Sequence, residues 1–263
     1  MERKSVFTTL GKYSLIGILL LIVLTGCQLN EPISADSTGF FNHYFIYPFS
    51  VLLKGLASVL GGSYGLSIII LTIVIRLCLM PFMLRQMKNS TKMQAKMKVM
   101  KPEMDEIQKK YKDKKDRDSQ MQMQQEMMQL YQKHQMNPLS SLGCLPMIIQ
   151  FPILIAFYYA IRRTPEIATH TFLWFNLGQT DFVLPFIAAA VYLIQARVSQ
   201  IGMDEKQRKQ MALFSFISPV MIFIVSFNFP SALPLYWTIS GSFLVIQTWI
   251  SKKLYTEKAE AEV

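Results

Sequence analysis

A twenty-residue stretch, Gly65 to Leu84 (GLSIIILTIVIRLCLMPFML), leaves this chain few folds to choose from. As a helix it is about 30 Å long, the thickness of a bilayer's hydrocarbon core. Its single ionisable group, Arg76, stands near the middle. A guanidinium at that depth costs roughly 2.5–3.5 kcal/mol on insertion scales, so it should face protein or water rather than lipid. Snorkelling is the alternative, since Arg76 lies about 12 Å of helix rise from Leu84.

Four more apolar runs follow, near Leu139 to Ile161, Phe182 to Val198, Met211 to Phe227 and Leu233 to Ile250. With 263 residues, 51% hydrophobic and 17% charged, the chain reads as an all-α polytopic membrane protein with five transmembrane helices. The expected spans are 62–86, 137–162, 182–200, 211–228 and 233–251. Pro81, Pro146, Pro152, Pro185, Pro219, Pro230 and Pro234 fall at or inside them, which predicts short, kinked helices. Cys27, Cys78 and Cys144 are far apart, with no CxxC and no His at ligand spacing, so neither a disulfide framework nor a metal site is indicated.

The N-terminus reads as a targeting segment. Arg3, Lys4 and Lys12 precede a short apolar run and then Leu24-Thr25-Gly26-Cys27, a pattern that resembles a bacterial lipoprotein signal over 1–26 with Cys27 lipidated. An uncleaved anchor with an ordinary buried cysteine is the alternative. Residues 27–61 would then lie outside the cell and carry an amphipathic helix. Phe41, Phe45, Phe49, Leu52, Leu56 and Val59 form its apolar face, with His43, Tyr47, Ser50, Lys54 and Ser58 opposite. Gly61-Gly62 turns the chain into the first span.

Charge fixes the orientation. Of 27 Lys and Arg, twenty fall in 85–133, at Arg197 and in the loop about 201–210 that follows it, and in the tail 252–263, whereas the other side holds Lys54, Arg162 and Arg163. That is the positive-inside pattern, with the N-terminus out, 163–181 an extracellular loop and the C-terminus in the cytoplasm. The net charge of +10 therefore reports topology and contact with the lipid bilayer before it reports nucleic acid.

The cytoplasmic segment 87–136 reads as a helical hairpin. Met93, Met97, Met100, Met104, Ile107 and Tyr111 make a stripe at alternating spacings of four and three. Asp113 to Ser119 (DKKDRDS) is a charged turn, and Met123, Met127, Leu130 and His134 continue the pattern on a second arm. These methionines either hold the arms together or offer an adaptable apolar surface to partners.

Inside the spans the sequence places no Asp, Glu, Lys or His at depth, so neither a proton relay nor a serine with a base is available there. What they hold is neutral polarity: Gln150, Gln195, Ser199, Ser215, Ser218, Thr238, Ser240, Ser242, Gln247 and Thr248. Such residues either join helices to one another or, with Arg76, line a wet groove. Trp237 and Trp249, near opposite ends of the last span, suit an aromatic belt.

These features together resemble the YidC membrane protein insertases of Gram-positive bacteria. The likeness rests on the lipoprotein-type signal, the Arg76 context IVIRLCLMPF, the basic Met-rich hairpin and the stretch NPLSSLGCLPMIIQFPILIAFYYAI, and it covers nearly the whole chain. It implies a non-enzymatic insertase of the bacterial plasma membrane, with a hydrophilic groove open to the cytoplasm. Arg76, Gln195, Trp249 and Gln150 would line that groove. An acidic residue in the polar tail of a nascent membrane protein would pair transiently with Arg76, and the hydrophobic effect would drive the adjoining segment into lipid. The resemblance also implies work alone or with the Sec translocon, and ribosome and signal recognition partners. No nucleotide or other cofactor is expected, in keeping with the lack of a P-loop pattern. The tail is short and mixed in charge, leaving the hairpin as the better partner contact. A channel or solute carrier with Arg76 in an anion path, or a membrane scaffold, remain the other readings of the residues.

Overall fold

The apolar stretch that begins at Gly65 is helical, and its helix does not end where the apolar residues do. A computed structural model describes residues 31–112, 114, 116–134, 145–203 and 205–261. In it α2 runs unbroken over Tyr64–Tyr111, 48 residues with Pro81 and Pro102 both inside. The first span and the first hairpin arm are thus one helix of about 72 Å. Short, kinked spans were expected from the prolines. Here two lost backbone bonds, spaced 21 residues apart, leave the intact turns between them to carry the helix through.

Before α2 comes a π-helical turn, Asn42–Ile46, followed by α1, Tyr47–Val59. Pro48 stands in the first turn of α1, where its missing N–H is one the helix cannot use anyway. The helix closes with Gly61 at φ 65° and Gly62 N–H bonded to the Ala57 carbonyl at 2.7 Å, which is a Schellman end. The packed face of this element differs from the expected division. Asn42, Ile46, Ser50, Leu53 and Ala57 are buried, whereas Leu52 and Val59 are exposed. Ser50, expected on the outer side, is turned inward because its hydroxyl finds Thr164 Oγ1 at 2.8 Å.

The described residues divide into two compact units. The first gathers residues up to Val74, Ile149–Ala190 and Pro219–Ser240. Here α1 packs on α4 (Leu145–Arg162), with Phe49 edge-on to Phe157 and Lys54 paired to Glu166 at 2.8 Å. Arg163, at the end of α4, is buried and clamps the incoming chain. Its Nε donates to the Glu31 carbonyl and its Nη1 to Asn42 Oδ1 at 2.8 Å. Burial pushes its guanidinium below the usual arginine value.

A one-turn helix, α5 (Pro165–Ala168), leads to a small antiparallel hairpin of β1 (Thr171–Phe172) and β2 (Phe175–Asn176). Gly178 follows, in a place where a Cβ would lie 2.0 Å from the Ala168 carbonyl oxygen, so no other residue fits without moving backbone. Leu177 and Gln179 carbonyls then accept from Ala232 and Ser231, tying this loop to the start of α8 (Ala232–Ala261). Phe182, Phe186, Phe223 and Phe227 pack together between α6 (Leu184–Ser199) and α7 (Glu205–Ser226). Trp237, placed by sequence in an aromatic belt, is instead buried beside Phe229, because the tight turn before α8 folds Phe229 back onto it.

The second unit comprises Ile75–Ile148, Val191–Ser218 and Gly241–Val263. Its outermost part is the paired arm of α2 and α3 (Arg117–Lys133). Asp116 caps α3 by accepting from Ser119 N–H at 2.8 Å. Met100 and Leu130 are buried where the arms meet, with Met93, Met97, Met104, Ile107 and Tyr131 packed around them. Lys110 with Glu126 and Lys133 with Glu103 bridge the arms at a single antiparallel register. The α8 helix continues past the expected end of its span at 251 to Ala261, so the tail begins as helix.

Among the described residues α2 alone is both long and apolar enough to cross a membrane by length and composition. The apolar helices Ile149–Arg162, Leu184–Ser199 and Ser215–Ser226 are shorter.

Candidate functional site

On α8 the usual distribution of polarity is inverted. Gln247, Thr248 and Ser251 are buried, whereas Ile246, Trp249 and Leu254 are exposed. A helix in water buries its apolar face, and one in lipid has no such pressure, so its polar side chains turn toward protein partners. The partners are specific. Gln195 Nε2 on α6 donates to Thr248 Oγ1 at 3.0 Å, and Gln247 Nε2 reaches Met87 Sδ on α2 at 3.8 Å. Gly241 lets α8 approach closely, since a Cβ there would come within 2.9 Å of Val191 Cγ1 and 3.0 Å of the Tyr192 ring.

Arg76 belongs to the same unit, half-buried on α2 and engaged by its surroundings. Gln195 is half-buried as well, yet its Oε1 is wholly covered and accepts no hydrogen bond among the described residues. A covered carbonyl oxygen without a donor is costly, about 1–3 kcal/mol. Trp249 is 52% exposed, with Lys253 Nζ 5.5 Å from its ring centroid. Three of the four groove residues expected from sequence, Arg76, Gln195 and Trp249, therefore fall in one compact unit.

Gln150, the fourth, lies in the other unit. Its Nε2 donates to Tyr236 Oη at 2.7 Å, which makes it a helix-joining residue there. Cys27, the expected lipidation site, lies outside the described residues. No cluster of three or more His, Cys, Asp or Glu side chains able to hold a metal is found among the described residues.

The paired arms of α2 and α3 carry most of the perturbed titrations among the described residues. Hydrogen bonds from Lys133 and His134 hold Glu103 below the usual carboxylate range, and Lys110 with Tyr111 does the same for Glu126. Near the C-terminal end of α8, burial and then the charge of Lys98 push Lys252 below the usual lysine value. Some of this was not visible in the sequence. His134, to which the spacing assigned only a stripe position, contacts Glu103 Oε1 at 3.0 Å. Arg163 was counted only as an outside charge. Its one signal was its position directly after a span, where a second arginine was not needed for topology.

One compact unit thus holds Arg76, the Gln195–Thr248 pair and the buried polar stripe of α8: a cation with neutral amides and hydroxyls. Residues 55–259 match the 60Kd inner membrane protein family. The chain belongs to this family, that of YidC. It is 50% identical over 246 residues to the membrane protein insertase YidC 2 of Listeria monocytogenes serotype 4b (strain F2365), covering 93% of this chain and 88% of the relative. Two relatives from Bacillus subtilis (strain 168) are the membrane protein insertases MisCB, 45% identical over 251 residues, and MisCA, 44% over 242. MisCB is covered over 91% of its length and MisCA over 89%, and each alignment takes in 91% of this chain. The YidC family match begins at Gly55 and so takes in α2, α6 and α8, the three helices that carry the polar residues of the site.

Proposed function

We propose that the protein is a membrane protein insertase of the bacterial plasma membrane, which places nascent membrane proteins in the bilayer without nucleotide or covalent chemistry. Five spans, at 62–86, 137–162, 182–200, 211–228 and 233–251, would leave the N-terminus outside, lipidated at Cys27, and the α2–α3 hairpin and the tail inside. Arg76, Gln195 and Trp249 would line a groove open to the cytoplasm, with Gln150 holding spans together through Tyr236.

The observation that carries this reading is Arg76 itself: a half-buried guanidinium midway along an apolar stretch of bilayer length, in the unit that also holds Gln195 and its uncommitted carbonyl oxygen. The names of the relatives agree with it. The polar tail of a substrate would rest in the wet groove while an acidic residue on it pairs with Arg76. Meanwhile its apolar segment partitions into lipid at about 25 cal/mol per Å² of surface buried. The groove shortens the dry path that the tail must cross. The paired arms would receive substrates, and ribosome, signal recognition and Sec partners would meet the same cytoplasmic face.

The test is reconstitution of the purified protein alone in liposomes with a single-span substrate bearing an acidic N-terminal tail, scored by protease protection of that tail. Wild type should protect it, and Arg76→Ala or neutralisation of the tail acids should each reduce protection severalfold. Equal protection with Arg76→Ala would remove the ion pair from the mechanism.

A further inference from the structure

The extracellular loop between α4 and α6 contains a feature that nothing in the groove requires. Its β-hairpin pairs Thr171 with Asn176 and Phe172 with Phe175, leaving Leu173 and Trp174 as a two-residue turn. Leu173 has φ 54° and is the only non-glycine residue with positive φ among those described. Positive φ at the first turn residue alone is the type II′ pattern, where glycine is the favoured residue. A leucine there is strained, and neither it nor tryptophan is a turn former. Both side chains are exposed, Leu173 at 69% and Trp174 at 56%, the Trp174 ring also standing edge-on to Phe175 at 5.3 Å.

The base of the hairpin is rigid. Phe175 and Leu177 are buried, and the Leu177 N–H donates to the His170 carbonyl at 2.9 Å. The His170 ring meets Tyr64 edge-on, and the Phe172 ring is seated on Gly65, where a Cβ would overlap it at 2.1 Å. Tyr64 and Gly65 begin α2 and its apolar stretch. The residue next to the tip is therefore held at the level where hydrocarbon begins. A Trp beside a large aliphatic residue is the composition that sits best at that depth, with the ring at the headgroup level.

We propose that the Leu173–Trp174 tip inserts into the outer-leaflet interface and anchors the extracellular loop to lipid. The exposed Phe40, Tyr44, Leu52 and Val59, in the same unit, offer the same medium a second contact. This rests on the membrane-spanning reading of α2, and the test separates the two.

The full chain is placed in nanodiscs of phosphatidylglycerol and phosphatidylcholine whose acyl chains are brominated close to the headgroup, and its fluorescence is compared with that of Trp174→Phe. The difference signal belongs to Trp174, and the residual signal to Trp237 and Trp249 on α8. The difference signal should lose most of its intensity to the bromines and be quenched several-fold less by aqueous iodide than free tryptophan. Strong iodide quenching with no bromine effect would leave the tip in water. Shielding from both would mean that another protein surface, such as a second copy, covers it. Either result overturns the anchor while quenching of the α8 tryptophans upholds the membrane reading. If bromines quench no tryptophan at all, both readings fall.

Discussion

A positive charge in a wet site and a guanidinium fork in a fixed geometry make different demands at position 76. In the proposed groove the partner is a transient carboxylate on varied substrates, so charge matters more than shape. Arg76→Lys should keep a substantial part of insertion activity, whereas Arg76→Ala and Arg76→Glu should lose most of it in the liposome assay. Equal loss in the Lys and Ala variants would point to bidentate geometry. Gln195 offers a sharper division between stability and function. Its covered, unpartnered Oε1 costs the resting fold, so Gln195→Leu should leave thermal stability in detergent unchanged or raise it by up to about 1–3 kcal/mol. Insertion by the same variant should fall, because the groove loses a polar side chain from its lining. If stability and insertion fall together, the Gln195–Thr248 bond is structural and Gln195 leaves the groove. Arg76 and Gln195 are candidates that the sequence itself offers, since a polar residue in an apolar run stands out. The missing donor at Oε1 was not legible there, because it depends on what three helices leave unfilled.

At the scale of elements, the hairpin shows how far periodicity reaches. The Met stripe and the DKKDRDS turn predicted two arms, and Met100 and Leu130 now lie buried where α2 and α3 meet. The ion pairs that set the register could not be read in the same way, because an exposed lysine has many acids within reach until the arms are aligned. Their stabilisation has a definite pH dependence. Glu103 and Glu126 have folded-state values below the usual carboxylate range, so their contribution is present above the unfolded glutamate pKa of about 4.3 and is lost as pH falls through the lower folded values. Amide hydrogen exchange in α3 should accelerate as pH drops through that window, after correction for intrinsic rates, and Glu103→Gln with Glu126→Gln should flatten the response. The change should be small, because exposed pairs contribute little. An unchanged response in the double variant would assign the pH dependence elsewhere. The element before α2 was misjudged for an instructive reason: helical spacing identified apolar residues, but Leu52 and Val59 remain exposed while Asn42 and Ser50 are buried. In a chain that meets lipid, apolarity does not say which face packs on protein.

For the whole molecule, charge asymmetry is a stronger guide than hydropathy. By length and composition only α2 qualifies to cross a bilayer among the described residues, and α8 carries Gln247, Thr248 and Ser251 along its buried face. Polarity that serves the site thus erodes the signal by which the spans would be counted. The basic residues are not subject to that conflict. They lie in segments that a positive-inside membrane would retain in the cytoplasm, where anionic lipid attracts each one by about 1 kcal/mol. With that orientation, a cysteine at exposed Ser58 on α1 should react with a membrane-impermeant maleimide in intact cells. Cysteines at exposed Gln124 on α3 and Arg208 on α7 should react only after permeabilisation. Cys78 and Cys144 would be replaced by alanine so that each probe reads alone. Labelling of Gln124→Cys from outside would reverse the orientation and place Lys54 and Arg163 in the cytoplasm. The hairpin would then be unable to receive chains from the ribosome, whatever Arg76 does at the centre of α2.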